Sequence, residues 1–379
     1  MKIIIVTEIF YPSINGVATR IVEAIRYLEQ AGHDVTVLTS TGQTRVFEGA
    51  EVIALGRHRF PMLRQLRWLS VASALRRLIY EQEPDVIHIV NASLFGACGA
   101  LTARQLGIPL VMSHHFDAAA WFRTHRFCGS GCRQLYWKLA KRCHNCADIN
   151  LAISLAQRER LRAKGFDRVA CIKPGVSTTT FHPRHADAEM RQRLSGGHPD
   201  NLLLLFVGKL DKDKNIDRLK ALLQRAPDLH LALVGNGPMR KKLRRHFPAD
   251  QVVFTGCLTG DALAAAYASC DVLVYPAEKN DLALVVLEGM ASGLPVLAQD
   301  TPAMRLQLED GKTGYLVSFT STDDLMDKIN ELRNPERLNA MSVAARHYSE
   351  QYSWTVSSQQ LLDYYHLAVA HRRKQAFIR

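Results

Sequence analysis

Residues 271–298 read as one strand–helix–strand step, and few folds can hold it. Asp271–Tyr275 (DVLVY) is a short apolar, β-branched run ended by Pro276, which predicts a buried strand. Ala277–Asp281 is a polar turn and Leu282–Ser292 an apolar helix. Gly293 stands just past that helix, where a left-handed C′ residue ends it. Leu294–Ala298 returns as a strand. The polar turn then lies at the C-terminal end of a parallel strand and at a helix N-terminus. Open α/β sheets bind ligands at that place, and exposed N–H groups with the helix dipole favour anions there. Glu288 lies two turns into the helix, inside an otherwise apolar run. A carboxylate is costly to bury without a hydrogen-bonded partner, and a ribose diol would supply one.

The same alternation continues on both sides. With 379 residues, two domains are expected. In the first half, strands are expected at Lys2–Val6, Val35–Leu38, Val86–Val90, Leu110–Met112, Ile149–Ile153 and Val169–Ile172, with helices at Val17–Gly32, Ala92–Gly107, Tyr136–Ala147 and Leu155–Lys164. Arg184–Asn201, polar and holding Gly196-Gly197 and Pro199, reads as the interdomain linker. The second half opens on the buried strand Leu202–Val207 and adds strands at Leu231–Val234 and Val252–Gly256. The pattern is that of two doubly wound Rossmann-like α/β domains facing across a cleft, residues 1–190 and residues 191–355, followed by a helix over 356–379 whose resemblance to a known C-terminal helix implies that it crosses back to the first domain.

Several residues stand where such sheets bind ligands. Gly16 precedes the first helix, where a backbone can approach a phosphate; a plain turn glycine reads equally well. Leu110–Met112 runs into Ser113-His114-His115-Phe116-Asp117, two histidines at a strand's C-terminal end. Lys209 and Lys214 flank the turn after Leu202–Val207, and two ammonium groups there can neutralise a diphosphate. Asp211-x-Asp213 imitates a metal-binding pair, but it sits among lysines in the same loop. Gly235-Asn236-Gly237-Pro238 follows a strand and lets a backbone approach a ligand or simply turn. Cys128-x3-Cys132 and Cys143-x2-Cys146 with His144 approximate zinc-ligand spacing, although buried free thiols explain them as well.

The formal net charge of +12 asks for a partner: nucleic acid, an anionic membrane surface or a phosphate-bearing substrate. No nucleic-acid-binding signature is present, so nucleic acid ranks last. Arg57–Arg77 carries six arginines with Phe60, Trp68 and several leucines. It suits a helix lying on a membrane surface, and equally a helix buried on one face and solvated on the other. No apolar run of transmembrane length occurs. MKIIIVTE has four apolar residues in a row before Glu8, shorter than a leader core, so a cytoplasmic location is expected. Eight cysteines in a chain this long point to reduced thiols.

The Glu288–Val296 stretch resembles the signature of glycosyltransferase family 4, the retaining GT-B enzymes with two Rossmann-like domains. Glu288, Met290, Ala291, Gly293, Pro295 and Val296 match its Glu-x-Met-Ala-x-Gly-x-Pro-Val half. Asn280 stands where the family usually has its first Glu, and Asp281-Leu282-Ala283 replaces x-Phe-Gly. The half that faces the donor sugar is thus altered, and the half that faces the nucleotide is intact. TEIFYPSINGVATRI is similar to the family's first loop, nearest to the branch holding sulfolipid synthases and lipid-acting mannosyltransferases.

The resemblance implies hexosyl transfer with retention from a UDP- or GDP-sugar to a lipid or lipid-linked glycan, on a peripheral protein of the inner membrane face. It implies no metal and no other cofactor. Gly16, Lys209, Lys214, Gly235, Asn280, Asp281, Leu282, Ala283, Leu284 and Glu288 would bind the donor, with Glu288 on the ribose. His115, Lys209 and Lys214 would be catalytic, and His114, His115 and Asp117 would face the acceptor, His115 being the better match to the cleft histidine. Departure and attack would share one face, the leaving phosphate helping to deprotonate the acceptor. The alternatives are the same chemistry on a soluble aminocyclitol or glycan, or a non-catalytic nucleotide-sugar-binding subunit.

Overall fold

The computed structural model describes all residues except 9, 11–15, 41–44, 56–63, 116–129, 279–282 and 378–379, with backbone alone at 64–71, 130 and 375–377. Its contacts fall into two compact units, Met1–Lys173 with Trp354–Arg379, and Pro174–Ser353.

The first unit runs β1 (Lys2–Thr7), α1 (Gly16–Gln30), β2 (Asp34–Thr39), β3 (Arg45–Phe47), β4 (Ala50–Ala54), α2 (Arg64–Gln82), β5 (Val86–Val90), α3 (Leu94–Leu106), β6 (Leu110–His114), α4 (Ser130–His144), β7 (Ile149–Ala152), α5 (Leu155–Ala163) and β8 (Val169–Cys171). Its sheet has the order β3-β4-β2-β1-β5-β6-β7-β8, parallel except for β3 against β4. Every residue of β5 and β6 is buried, as strands covered by helices on both faces must be. Ile21, Ala24, Ile25 and Leu28 form the buried stripe of α1 at helical spacing. Ser93 and Ser154 cap α3 and α5 through their hydroxyls, accepting from the N–H groups of Gly96 and Gln157.

The β3–β4 hairpin was not visible in the sequence. Its turn places Glu48 at φ 52° and Gly49 at φ 94°. A two-residue hairpin turn with both φ positive usually carries Asn-Gly, so Glu-Gly hides it.

The second unit runs α6 (Ala188–Leu194), β9 (Leu202–Val207), α7 (Lys220–Arg225), β10 (Leu229–Val234), α8 (Arg240–His246), β11 (Val252–Gly256), α9 (Gly260–Ala268), β12 (Val272–Tyr275), α10 (Leu284–Ala291), β13 (Val296–Gln299), β14 (Gly314–Val317), α11 (Thr322–Leu332) and α12 (Pro335–Glu350). Its sheet is parallel throughout, in the order β11-β10-β9-β12-β13-β14. Two apolar clusters cover its faces, one around Leu203, Leu205 and Leu273, the other around Leu204, Phe206 and Val272. The final helix α13 (Trp354–Phe377) belongs to the first unit, where Leu361, Leu362, Tyr365 and Ala368 join the core beside α1.

The stretch expected as a linker, Arg184–Asn201, is instead folded into the second unit. Asp187 caps α6 and Leu194 is fully buried. Arg191 donates to both carboxylate oxygens of Asp271, each at 3.0 Å, and to the carbonyls of Pro199, Ser269 and Asn201. The polar composition that suggested a linker is the solvent face of this short helix. The boundaries therefore fall at 173/174 and 353/354 rather than near 190 and 355.

Candidate functional site

The winding of the second sheet reverses between β9 and β12, which are neighbours with β10 on one side and β13 on the other. Loops leaving the C-terminal ends of two such strands diverge and leave a crevice. The loop after β9 carries Gly208 to Asn215, and the loop after β12 runs from Pro276 toward α10. Asn280, Asp281 and Leu282 lie outside the described residues.

The β9 and β10 loops are locked together. A Cβ on Gly235 would fall 1.9 Å from the Gly208 carbonyl oxygen, and one on Gly237 would fall 2.3 Å from the Leu210 oxygen. Gly235 also sits at φ 136°. Its glycine requirement is thus met inside the protein, by loop–loop packing. The Leu210 N–H donates to Asn236 O and the Met239 N–H to Leu210 O, fixing the approach.

The two lysines differ in setting. The Lys209 ammonium is exposed, 2.9 Å from Asp211 Oδ2, and that pairing raises its pKa. Lys214 places its ammonium 5.8 Å from the centroid of the Tyr275 ring at the end of β12. It thereby links the β9 loop to the β12 edge. Asp211 caps the short 3-10 turn at Lys212–Lys214, and Asn215 closes that turn at φ 52°. Asp211 therefore has a capping and pairing role in the loop.

Helix α10 has ends of opposite character. Its C-terminus is closed by a complete Schellman motif: Gly293 N–H donates to Met290 O and Leu294 N–H to Gly289 O, with Gly293 at φ 81°. Its N-terminus, at Ala283 and Leu284, has no side-chain cap. The Ala283 N–H donates to Gln307 Oε1 at 3.2 Å. The buried Gln307 Nε2 has no hydrogen-bond partner among the described residues. A helix start without a side-chain cap presents N–H groups and the positive dipole end to an anion.

Glu288 is partly buried on the same helix. Its Oε2 accepts from the Tyr267 hydroxyl at 2.7 Å. Burial raises the Glu288 pKa, and the Tyr267 hydrogen bond opposes the rise. Burial also pushes Tyr267 well above its ordinary value. The partner that sequence reasoning sought for this carboxylate is therefore Tyr267, on α9. The usable signal was a large phenol in an alanine-rich helix, since a buried tyrosine hydroxyl needs a partner. Glu288 Oε1 has no hydrogen bond among the described residues.

In the first unit, Gly16 opens α1 as an exposed residue. The structure separates the two histidines that end β6. His114 is buried, with its ring 6.1 Å from Trp137, 5.5 Å from His144 and 6.3 Å from Phe166, centroid to centroid. It is a core group. His115 is partly buried; its backbone N–H donates to Asn91 Oδ1 at 2.7 Å, and its Nε2 lies 3.1 Å from Ser113 Oγ. Burial, with the Arg20 charge second, holds His115 well below its usual pKa. Asp117 lies outside the described residues. So do Cys128 and residues 57–63 of the basic segment, and only the backbone is described at 64–71. In the rest of α2, Leu75 and Ile79 are buried while Arg76 and Arg77 are exposed. Cys132 is exposed, and Cys143 and Cys146 are partly buried thiols. Among the described residues, no group of three or more His, Cys, Asp or Glu could hold a metal ion. Nor is any helix among them long and apolar enough to cross a membrane.

The family model described as Glycosyltransferase Family 4 matches residues 14–180, and that described as Glycosyl transferases group 1 matches residues 190–348. The chain is 33% identical over 384 residues to a GDP-mannose-dependent alpha-mannosyltransferase of Mycolicibacterium smegmatis, covering 99% of this chain and 100% of that one. It is 33% identical over 355 residues to the sulfoquinovosyl transferase SQD2 of Arabidopsis thaliana, covering 91% and 69%. A GDP-mannose-dependent alpha-(1-6)-phosphatidylinositol monomannoside mannosyltransferase of Mycolicibacterium smegmatis is 28% identical over 381 residues, covering 95% and 97%. Among solved structures, Anabaena HepE in complex with UDP and glucose superposes with a TM-score of 0.73 at 18% identity, covering 96% of this chain and 98% of that one. With two Rossmann-like units of the GT-B kind and both halves of the sequence matched, the chain belongs to glycosyltransferase family 4 and is a glycosyltransferase.

Proposed function

We propose that this enzyme moves a hexosyl group from a nucleoside-diphosphate sugar, UDP- or GDP-linked, to a lipid or lipid-linked glycan, with retention at the anomeric carbon. The observation that carries the donor half is the reversal point of the second sheet. Lys209 and Lys214 lie on the loop after β9, the uncapped N-terminus of α10 follows β12 in the chain, and Glu288 lies one turn further along the same helix. A diphosphate leaving group gains charge as the glycosidic bond breaks, and two ammonium groups with a helix N-terminus favour that gain. Glu288 Oε1 is suited to accept from a ribose hydroxyl while Tyr267 holds the other oxygen. Gly16, Gly235, Asn280, Asp281 and Leu282 complete the donor site on this reading, and His115 serves the reacting end, with no metal ion required. The lipid half rests on the named substrates of relatives, a phosphatidylinositol mannoside among them. The basic segment around Arg64 and the charge of +12 support a peripheral place on an anionic membrane face, taken on this reading to be the cytoplasmic one.

Purified enzyme supplied with a panel of UDP- and GDP-sugars tests this. Nucleotide release that needs an amphipathic acceptor, with a product keeping the donor's anomeric configuration, is expected. Turnover on a soluble aminocyclitol or glycan instead would move the acceptor to the soluble class. Release with no acceptor dependence, or inversion, would overturn the reading.

A further inference from the structure

A chain of four polar side chains runs through the otherwise apolar interior of the first unit. Tyr365 Oη lies 2.8 Å from His88 Nδ1, His88 Nε2 lies 2.8 Å from Ser113 Oγ, and Ser113 Oγ lies 3.1 Å from His115 Nε2. The first three groups are buried, His88 in the middle of the all-buried strand β5 and Tyr365 on α13. Burial, with the Arg20 charge beside it, brings His88 down to about 3, so its ring is neutral at physiological pH.

Protons in such a chain either run end to end, in one of two senses, or meet at Ser113, whose oxygen can accept from both imidazoles while its own proton is then left with no acceptor among the described residues. In one, the Tyr365 hydroxyl donates to His88 Nδ1, His88 Nε2–H donates to Ser113 Oγ, and the Ser113 hydroxyl donates to His115 Nε2. The neutral His115 then carries its proton on Nδ1. In the other, every bond is reversed: His115 Nε2–H donates to Ser113, and His88 Nδ1–H donates to the Tyr365 oxygen. The Tyr365 hydroxyl proton then has no acceptor, because His88 is its one hydrogen-bond partner among the described residues. The adjoining cavity of about 20 Å³ has room for one water, but Tyr365 does not line it, and at Ser113 such a water would face a mostly apolar wall in which Arg20 can only donate to it. A buried hydroxyl left without an acceptor is costly, so the first arrangement wins.

We infer that the chain Tyr365–His88–Ser113–His115 holds His115 as the Nδ1–H tautomer, so that it presents a hydrogen-bond donor and not a proton acceptor at the C-terminal edge of the first sheet. Tyr365, His88 and Ser113 are positioning residues that act through His115. The tautomer follows from the geometry alone; its use rests on the proposed function. There an Nδ1–H suits an oxygen acceptor, such as a sugar hydroxyl or a phosphate oxygen. The proton of the attacking hydroxyl is left to the departing phosphate.

Nitrogen-15 NMR of the histidine-labelled full chain reads the tautomer without any transferase assay, so it can fail while the proposed function stands, and the reverse. The His115 signals are identified by their loss in His115→Gln. The expected result is a protonated Nδ1 and an unprotonated Nε2, the preference being roughly 5- to 150-fold, the factor carried by one unsatisfied buried hydroxyl. In Tyr365→Phe that preference should collapse toward even populations, and in Ser113→Ala the coupling of His115 to His88 should vanish. A wild-type His115 protonated on Nε2 overturns the inference. So does a wild-type Nδ1–H form that persists unchanged in both variants.

Discussion

Tyr267→Phe isolates the one hydrogen bond that, among the described residues, supports the Glu288 carboxylate. The phenyl ring keeps its edge-to-face packing on Phe181, at 5.4 Å between centroids, so no cavity opens. What is lost is a 2.7 Å bond from a buried hydroxyl to a carboxylate. Hydrogen bonds to charged groups are worth about 1.5–3 kcal/mol. At about 2–4 °C per kcal/mol for a domain of this size, Tm should fall by about 3–12 °C. The loss should also depend on pH. Burial raises the Glu288 pKa above its ordinary 4.5, and Tyr267 is the group that restrains the rise. A raised carboxyl penalises folding wherever it must be ionised, which is above its folded pKa, and the penalty fades as pH falls through that value toward 4.5. Without the hydroxyl the folded pKa climbs further. The gap between the two proteins should therefore be widest at about pH 8 and narrow on descent to about pH 5. Thermal melts of both proteins across that range provide the assay. A deficit that is flat with pH, or that widens on acidification, would refute the claim that an ionised Glu288 is the acceptor.

Glu288→Gln should weaken nucleotide-sugar binding by about 1.5–3 kcal/mol, roughly 10- to 150-fold in a calorimetric Kd, because the ribose loses a charged acceptor; unchanged affinity in a folded protein removes the ribose role. Lys209→Ala and Lys214→Ala should each lower kcat on the order of tenfold to a hundredfold with a smaller rise in donor KM, since charge on the diphosphate grows in the transition state. Equal turnover in both variants would dismiss the diphosphate clamp. Gly235→Ala should cost about 1–3 kcal/mol from its backbone conformation alone, and more from the contact with Gly208, readable as a loss of soluble, cooperatively melting protein. Anionic vesicles should co-sediment the protein at low salt, neutral ones should not, and Arg64→Glu with Arg67→Glu should release it, each arginine contributing on the order of 1 kcal/mol near such a surface. Wild type that stays in the supernatant would end the peripheral-membrane reading.

Much of the fold was legible because parallel strands buried on both faces leave continuous apolar runs. VIHIV, LLLLFV and DVLVY, the segments around β5, β9 and β12, are such runs. Gly293 was legible because a left-handed C′ position leaves little choice of residue. The failures have the opposite cause. Helix α6 is short and mostly solvated, so its sequence looks like a linker, while its anchor, Asp271, lies 80 residues away from Arg191. The Glu48-Gly49 turn uses a residue that seldom adopts positive φ. Around the candidate site, the sequence singles out Glu288 and the lysines by position but gives no sign of Tyr267, Gln307 and the His88 chain. Each of those acts through a partner on another element, and sequence spacing carries no record of that.

The departures at residues 280–283 gain meaning from where the rigidity lies. Helix α10 is fixed at its end by the Schellman closure and along its flank by Gly289, where a Cβ would fall 2.7 Å from Leu273 Cδ2. Leu284 and Glu288 are one turn apart, about 6 Å along the axis, so an anion at the helix start and a diol at Glu288 are held in fixed register. On the proposed reading, this single element sets where the nucleotide sits. Asn280 to Ala283 come between β12 and α10 in the sequence, outside the helix itself, and a connecting segment can change its side chains without moving the helix it leads into. Replacing the family's acidic residue by Asn280 exchanges a charged acceptor for an amide that both donates and accepts. With the donor bound as proposed, such a change would redefine which sugar hydroxyls are met while leaving the diphosphate and ribose contacts in place. On the proposed reading, the altered half of the signature is a specificity change carried on an unaltered nucleotide platform, and donor sugars, not nucleotides, are where this enzyme should differ from relatives that keep the glutamate.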